Sequence, residues 1–322
     1  MTKAIRLHQH GGPEALVWEE AVLAEPAQGE ARVRHHAVGL NYIDVYYRTG
    51  LYPAKLPGGL GVEGAGVVEA VGPGVTELKA GDRVAYAMGP LGAYSEARVM
   101  PADRLVKLPE GLSFEQGAAM MLQGMTVQYL IKRLYRVQKG DYVLFHAAAG
   151  GVGLIACQWL NALGAITIGT AGTRAKCELA LAHGAAHCID YGGEDIVERV
   201  KAITGGEGVP VVYDSVGKDT FDRSLDCLRT FGTMVSFGNS SGAVPPFNLA
   251  ALKGSLFITR PSLGPYTARR ADLVSTAADL FDAVLSGKVR IEINQRYALK
   301  DAAQAHRDLE ARKTTGSTVL LP

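Results

Sequence analysis

The feature that most constrains the fold is a hydrophobic strand that runs directly into a glycine-rich turn and then a helix, in YVLFHAAAGGVGLIACQWL from Tyr142 to Leu160. From Asp141 onward, apolar strand candidates alternate with helical segments as far as TMVSFG, and SLFIT could supply one more strand. This alternation predicts right-handed βαβ units and a parallel, doubly wound sheet.

The turn itself matches the dinucleotide-binding fingerprint G-x-G-x-x-G, with Ala148 at the first glycine position. Gly150 and Gly151 allow the backbone to approach a pyrophosphate, and Gly153 allows close contact between helix and strand. The amino terminus of the helix then offers unpaired N–H groups and a partial positive charge to the anion. A turn that serves only chain reversal is the alternative, but the strand before it and the helix after it favour the cofactor site.

The next strand, AITIGTAG, bears on which dinucleotide binds. An NAD site usually places Asp or Glu at the end of this strand, where it holds the ribose hydroxyls. Here the candidate cofactor-binding residues are Gly172, Thr173, Arg174 and Lys176, with no carboxylate and two cations among them. We therefore predict NADPH rather than NADH, although the two cations could also form a solvated helix start.

The rest of the chain has a different sequence pattern. Residues 1 to about 110 are rich in Gly and Pro and contain short β-rich runs, such as EARVRHHAVGL, GVVEAVG and DRVAYAM. These runs predict a compact, mainly antiparallel barrel or sandwich. Ser113 can cap a helix that opens with FEQGAAM and continues from Gly124 to Tyr135. Two helical patterns, ADLVSTAADLFDAVLSG and DAAQAHRDLEARK, precede a terminal strand, STVLLP. A further helix is predicted near DTFDRSLDCLRTF.

Length and composition exclude several classes of protein. With 322 residues the chain exceeds the usual size of one domain. Its 33 basic and 32 acidic residues leave a net charge of +1, which weighs against a nucleic-acid or anionic-membrane partner. The sequence contains no stretch of about 18 uninterrupted apolar residues, so we expect no membrane span. The N-terminus lacks the apolar core of a signal peptide, and none of the four cysteines forms a CxxC pair, so we expect a cytoplasmic protein.

The segments HAAAGGVG and IGTAG, together with GLNYIDVYYRTGLYP, GVEGAGVVEAVG, KAGDRVAY and VVYDSVG, resemble medium-chain dehydrogenases and reductases. The resemblance extends over essentially the whole chain and is to the NADPH:quinone oxidoreductase branch, which includes ζ-crystallin. It implies an α/β protein with a chaperonin-10-like, β-rich catalytic domain (residues 1–124) and a doubly wound parallel Rossmann domain (125–260). Residues 261–322 would return to the catalytic domain. A homodimer, with its active site in the cleft between domains, is also implied.

The resemblance makes the absence of zinc ligands informative. Zinc-dependent members of the superfamily carry a GHE motif where this chain has Gly61-Val62-Glu63, and a cysteine ligand where it has Asn41. Valine and asparagine do not supply the thiolate, imidazole or carboxylate that zinc requires. The cysteine-rich lobe that holds structural zinc is absent too. We therefore predict no metal.

Without a Lewis acid, the acceptor must be electrophilic in its own right, as a small planar quinone or enone is. The resemblance places Asn41 and Tyr46 beside the nicotinamide and Tyr52 near the substrate pocket, and these three are the candidate catalytic residues. Each tyrosine could instead simply pack. Asp44 is either a helix cap or a cofactor contact, and we expect Glu63 to be structural rather than a general base.

Tyr52 lies in a loop between Gly50 and Pro53, where regular structure offers its ring little packing support. The ring could donate its hydroxyl to the developing oxyanion or only form a wall of the pocket. We favour the wall, because a quinone is readily reduced and its product anion can take a proton from water.

The resemblance implies further cofactor contacts: Tyr129 and Val152 at the cofactor, Tyr191 and Arg312 with Lys176 at the adenosine phosphate, and Val216, Asn239, Ser240 and Ser262 at the nicotinamide side. The function so predicted is NADPH-dependent reduction of quinones by hydride transfer. The alternatives are an NADPH-dependent reductase of enones or enoyl thioesters and a non-catalytic NADPH-binding protein.

Overall fold

The computed structural model describes all 322 residues, Met1–Pro322. The strands are β1 (Thr2–Leu7), β2 (Leu16–Ala21), β3 (Glu30–Leu40), β4 (Gly58–Gly59), β5 (Glu63–Val71), β6 (Arg83–Ala87), β7 (Ala97–Pro101), β8 (Val106–Lys107), β9 (Tyr142–Phe145), β10 (Ile166–Ala171), β11 (His187–Asp190), β12 (Val209–Asp214), β13 (Leu228–Ser236), β14 (Phe257–Thr259), β15 (Ile293–Ala298) and β16 (Ser317–Leu321). The α-helices are α1 (Tyr42–Thr49), α2 (Phe114–Tyr129), α3 (Gly151–Ala162), α4 (Arg174–Ala182), α5 (Ile196–Ile203), α6 (Phe221–Asp226), α7 (Leu263–Tyr266), α8 (Arg270–Leu285) and α9 (Ala302–Glu310). A π-helix spans Leu130–Leu134, and one-turn 3-10 helices span Pro13–Ala15, Ala102–Arg104, Leu249–Ala251 and Leu299–Asp301.

The chain divides into two compact units. The first comprises Met1–Met125, Gly264–Leu285 and Ile291–Pro322, and the second comprises Thr126–Leu263 and Ser286–Arg290. No helix combines the length and the apolar character needed to cross a bilayer.

The first unit is built on β-sheets. A seven-stranded sheet has the order β15-β16-β3-β5-β6-β8, with β7 also paired to β3, and a three-stranded sheet has the order β2-β1-β4. Every pairing is antiparallel except that of β15 with β16. Along β3, Ala31 and Val33 are buried while Arg32 and Arg34 point outward, the period of two expected of a strand with one face on a core.

The start of α2 follows the predicted cap. The Gln116 backbone N–H donates to Ser113 Oγ over 3.1 Å, and the Ser113 N–H donates to Gln116 Oε1 over 2.9 Å. This reciprocal pair satisfies two donors that a helix terminus leaves open. The predicted helix to Tyr135 is α-helical as far as Tyr129 and then widens into the π-helix.

The second unit contains the parallel sheet that the alternation predicts, with the order β11-β10-β9-β12-β13-β14. The chain runs outward from β9 to β11 and then crosses back to β12, so the strand order reverses between β9 and β12. In sheets of this kind ligands bind beyond the carboxyl ends of the strands at such a reversal. The structure therefore puts the fingerprint turn, which follows β9, at the place where a dinucleotide binds.

One predicted helix is shorter than expected. The pattern DTFDRSLDCLRTF predicts a helix near residues 219–231, but α6 ends at Asp226 and β13 begins at Leu228. Leu228 pairs with Val209 of β12, so pairing within the sheet overrides the helical pattern.

Candidate active site

The turn after β9 brings helix α3 close to its strand. Gly150 is the residue before α3, and Gly153 lies in its first turn. A Cβ on Gly153 would be 2.4 Å from the Ala147 carbonyl oxygen, far inside van der Waals contact. Only glycine therefore fits at position 153. The first N–H groups of α3 have no partner within the helix and carry the positive end of its dipole, which suits a pyrophosphate.

At the end of β10 the chain forms a second small cradle. A Cβ on Gly172 would lie 2.8 Å from the Tyr191 hydroxyl. Glycine at position 172, just after β10, therefore leaves room for the Tyr191 ring, which follows β11. Thr173 caps α4, and its Oγ1 accepts the Lys176 backbone N–H over 3.3 Å. The structure thus brings Gly172, Thr173, Lys176 and Tyr191 together at one edge of the sheet.

Arg174 belongs to the same edge. Its side chain is 89% exposed and pairs with Glu178 over 3.3 Å. An exposed pair of this kind is worth about 1 kcal/mol or less, so an anion can replace the carboxylate at little cost. Ala171 to Lys176 contains no acidic residue. The donors available at this edge are therefore cations and a phenol, which fits a ribose phosphate.

The loop after β12 is fixed by a buried carboxylate that sequence reasoning missed. Asp214 Oδ1 accepts the backbone N–H groups of Val216 (2.7 Å) and Gly217 (3.0 Å). Its Oδ2 accepts the hydroxyls of Thr220 (2.7 Å) and Ser224 (2.8 Å). The available signal was an aspartate that ends an apolar strand and precedes Ser-Val-Gly.

A buried histidine ties this loop to the neighbouring strands. His146 Nδ1 lies 2.9 Å from Thr170 Oγ1, and its Nε2 lies 3.0 Å from Ser224 Oγ. Because Ser224 donates its own hydroxyl hydrogen to Asp214, it must accept from His146, which places the imidazole proton on Nε2. Burial lowers the pKa of His146. The neutral ring therefore links the end of β9 to Thr170 of β10 and Ser224 of α6.

The remaining residues predicted at the nicotinamide side fall on neighbouring loops. The Ser240 N–H donates to the Ser215 carbonyl over 3.2 Å, which places Asn239 and Ser240 next to the loop of Val216. Ser262 is exposed just before α7. Tyr129, by contrast, is 1% exposed at the end of α2. In the first unit, Arg312 follows α9 and is exposed.

In the first unit, helix α1 carries a cluster of tyrosines. The Tyr46 ring lies 5.1 Å from that of Tyr52 and 5.7 Å from that of Tyr42, measured between centroids. The Tyr47 ring meets Tyr52 edge-on at 5.7 Å. The expectation that the Tyr52 ring has little packing support from regular structure is wrong, because the loop folds back and the ring packs on Tyr46 and Tyr47 of α1. The Tyr52 N–H also donates to the Tyr46 carbonyl over 3.0 Å.

Asn41 stands at the start of α1, and its polar groups are held by three partners. Its backbone N–H donates to Asp44 Oδ2 over 3.0 Å, so Asp44 makes a capping contact. Its Nδ2 donates to Glu63 Oε2 over 2.6 Å, and its Oδ1 accepts Gln123 Nε2 over 3.2 Å. Asp44 also accepts the Tyr94 hydroxyl over 2.9 Å, and burial raises its pKa to about 7.

The same network continues to a buried arginine. Arg48 is 1% exposed and makes two hydrogen bonds to Glu310, of 2.7 and 2.8 Å. It also donates to His306 Nδ1 over 3.1 Å, so the imidazole proton lies on Nε2, 3.2 Å from the Tyr94 hydroxyl. Burial lowers the pKa of His306 to about 3, so the ring is neutral. These partners lie as many as 262 residues apart, and no local pattern marked them.

Possible metal ligands are scattered in the structure. No group of three or more His, Cys, Asp or Glu side chains is arranged to hold a metal ion. Val62 is 1% exposed, and the Asn41 amide is engaged by Glu63 and Gln123.

Comparison with known proteins gives a consistent family. Residues 27–110 match the alcohol dehydrogenase GroES-like domain, and residues 151–274 match the zinc-binding dehydrogenase domain. A quinone oxidoreductase of Pseudomonas aeruginosa is 56% identical over the full length of both chains. The crystal structure of Pseudomonas syringae quinone oxidoreductase is 53% identical, with a TM-score of 0.99 and full coverage of both chains.

A third relative was solved with a cofactor. The crystal structure of Escherichia coli quinone oxidoreductase complexed with NADPH is 53% identical, with a TM-score of 0.98, and covers 99% of this chain and 100% of that one. The domain matches, the identities over the full length and the Rossmann strand order agree. The chain belongs to the quinone oxidoreductase branch of the medium-chain dehydrogenase/reductase superfamily.

Proposed function

We propose that the protein reduces small planar quinones by hydride transfer from NADPH, without a metal ion. The observation that carries this proposal is at the edge of the parallel sheet. The glycine fingerprint lies there beside Arg174 and Lys176, and the segment from Ala171 to Lys176 contains no acidic residue. The family supports the acceptor class, since relatives that are 53–56% identical over the full chain are named quinone oxidoreductases.

The residues of the second unit fit NADPH by the chemistry of their donors. When bound, NADPH supplies the hydride. The α3 amino terminus, with Gly150 and Gly151, binds the pyrophosphate through backbone N–H groups. Arg174 and Lys176 bind the 2′-phosphate, and Arg174 exchanges its exposed partner Glu178 for it.

A quinone suits a site without a metal because hydride addition gives an anion delocalised over the ring. The protein then has to hold the acceptor, exclude water and offer hydrogen-bond donors. We assign Asn41, Tyr46 and Tyr52 to this task. The packing of Tyr52 on Tyr46 and Tyr47 supports a role as a wall for a planar ring.

An acceptor panel at fixed NADPH tests the proposed reaction. We expect ortho- or para-quinones to give the highest kcat/KM. Higher values with enones or enoyl thioesters would move the protein to the alternative reductase class. Stoichiometric NADPH binding without turnover on any acceptor would show a non-catalytic binding protein.

Metal independence is tested by exhaustive chelation followed by elemental analysis. We expect full quinone reductase activity in the chelated protein, because Val62 and Asn41 supply no zinc ligand of the usual kinds. A stoichiometric metal whose removal abolishes activity would contradict the proposal.

We also propose that the protein is a homodimer that associates through the edge strand β14. This strand pairs with β13 on one side only. Phe257 is 62% exposed. Phe231 is 70% exposed and lies beside the segment that leads into β14, since its N–H donates to the Gly254 carbonyl over 2.9 Å. An unpaired edge with exposed phenylalanines favours pairing with the same edge of a second copy.

Light scattering on the purified protein tests the dimer. We expect Phe257→Lys to give monomers at micromolar concentration, because it places a charge in the paired edge. Leu181→Lys is the matched control, since Leu181 is 43% exposed on α4 of the same unit, and should remain dimeric. A monomeric wild type, or a dimeric Phe257→Lys variant, would contradict this interface. The cytoplasmic location remains a prediction from composition.

A further inference from the structure

Four buried polar side chains of the first unit form one continuous hydrogen-bonded chain. Asn41 Nδ2 donates to Glu63 Oε2 over 2.6 Å, and Gln123 Nε2 donates to Asn41 Oδ1 over 3.2 Å. The Ser317 hydroxyl then donates to Gln123 Oε1 over 2.9 Å. All four side chains are less than a tenth exposed. The chain joins the strands β5 and β16, the start of α1 and the middle of α2.

The direction of this chain is set at Glu63. Both of its oxygens accept hydrogen bonds, Oε1 from the Leu122 backbone N–H over 2.8 Å and Oε2 from Asn41. This arrangement is that of an ionised carboxylate, which has no hydrogen to donate. Every donor in the chain therefore points toward Glu63.

The opposite direction satisfies the same groups. A protonated Glu63 would donate to Asn41 Oδ1, which requires the Asn41 amide to turn over. Its Nδ2 would then donate to Gln123 Oε1, and Gln123 Nε2 to Ser317 Oγ. Ser317 already has a second acceptor for its hydroxyl, the Ala119 carbonyl at 3.3 Å. Reversal keeps a partner for every side chain of the hydrogen-bonded chain. It gives up the capping contact of the Asn41 side chain with the Asp44 backbone N–H, which still donates to the Asn41 carbonyl over 3.0 Å. Reversal therefore costs less than leaving any one buried group unpaired.

We infer that protonation of Glu63 reverses all the hydrogen bonds of this chain together. Glu63 and Gln123 are then positioning residues, which set whether the Asn41 NH₂ group or its Oδ1 points to each neighbour. The reversal itself rests on the hydrogen bonds alone, and only its consequence for catalysis rests on the proposed function. If Asn41 lies beside the nicotinamide, reversal exchanges the hydrogen-bond donor and acceptor that it presents there.

The surroundings of Glu63 favour a proton equilibrium in the working range of pH. The titratable groups that face it are Asp44 from α1, Tyr86 from β6 and Tyr94 from the loop before β7. Gly39 of β3 closes the remaining side, since a Cβ there would lie inside contact distance of Oε2. Burial, the largest cause, raises the pKa of Glu63 to about 8, against the opposing bonds from Leu122 and Asn41.

Side-chain amide NMR tests the reversal directly and without turnover. The NH₂ groups of Asn41 and Gln123 are followed in ¹⁵N-labelled, full-length protein between pH 6 and pH 9.5, and they are assigned through Asn41→Asp and Gln123→Glu. We expect both groups to shift together with one midpoint near pH 8. Glu63→Gln, a neutral isostere that can donate to Asn41 Oδ1, should abolish both shifts and hold the reversed direction.

Asp44→Asn is the matched control, because the Asp44 carboxylate accepts the backbone N–H of Asn41, and the Asn41 side chain contacts only the backbone of Asp44. The joint titration of Asn41 and Gln123 should persist in this variant, with a lower midpoint, since one neighbouring negative charge is gone. Independent midpoints for the two amides, or no titration in the wild type, would overturn the inference.

The pH dependence of kcat/KM separates the inference from the proposed function. We expect an inflection near pH 8 in the wild type that is lost in Glu63→Gln. Joint titration of the amides without this inflection would uphold the reversal and contradict the role of Asn41 in the proposed reaction.

Discussion

The two units hold their polar groups in different ways. In the second unit the turn that we propose for the cofactor is one uninterrupted segment, Ala148 to Gly153, and what it offers is backbone N–H groups and the space that Gly153 leaves. In the first unit the groups around Asn41 are side chains, and the links to Gln123 and on to Ser317 join residues 82 and 194 positions apart. A backbone site can be read locally from the sequence, whereas a side-chain network exists only once the fold is formed.

From this contrast we expect the largest effect, a loss of folding stability, when Arg48 is replaced. Replacing it with Met removes two hydrogen bonds to Glu310 and one to His306 from a buried site. Breaking a buried ion pair from one side costs about 3–5 kcal/mol, and because Glu310 is 30% exposed we expect a loss near the lower end of this range. Arg229→Met is the control, since Arg229 pairs with Glu207 at 45% and 68% exposure, and should change stability by about 1 kcal/mol or less.

Urea unfolding, followed by tryptophan fluorescence, measures the stability of both variants. The chain has two tryptophans, one in each unit, so the unfolding of each unit can be followed separately. Trp18 belongs to the first unit and Trp159 to the second, so Trp18→Phe and Trp159→Phe backgrounds each report one unit. We expect Arg48→Met to lower the unfolding midpoint seen by Trp18. Equal losses in Arg48→Met and Arg229→Met would contradict the energetic importance of the buried network.

A smaller effect is expected from Gly153→Ala in the second unit. The added Cβ would lie 2.4 Å from the Ala147 carbonyl oxygen, so α3 must move away from the turn. Overpacking of this kind costs about 1–3 kcal/mol and should weaken NADPH binding, measured by calorimetry. Gly193→Ala is the control, because a Cβ there has nothing within 4 Å. Unchanged NADPH affinity in Gly153→Ala would show that the close approach of α3 is dispensable.

This contrast also explains what the sequence could and could not predict. The parallel sheet, the turn at Gly150 to Gly153 and the cap at Ser113 follow from short patterns, and the structure contains all three. Asn41 is indicated only by family resemblance, and the sequence predicts a structural role for Glu63 rather than that of a general base. Gln123, Ser317 and His306 carried no signal, because nothing in their local sequence tells which distant partner the fold will bring to them.

We expect the smallest effect, on turnover, from Tyr52→Phe in the first unit. If the ring is a wall supported by Tyr46 and Tyr47, Tyr52→Phe keeps that shape and should leave turnover nearly unchanged. Tyr52→Ala should mainly raise KM for the quinone or change quinone preference. A loss of turnover of about 10²-fold in Tyr52→Phe, with cofactor affinity unchanged, would instead show that its hydroxyl stabilises the oxyanion.

The most direct test of the central claim is the ratio of kcat/KM for NADPH and NADH with one quinone. A charge-assisted phosphate contact contributes about 1.5–3 kcal/mol, so we expect a preference for NADPH of roughly 10- to 150-fold. The double variant Arg174→Ala/Lys176→Ala should lose most of it, whereas Lys201→Ala, on the exposed face of α5 in the same unit, should keep it. Equal kcat/KM values for the two cofactors in the wild type would contradict the assignment of this sheet edge to NADPH.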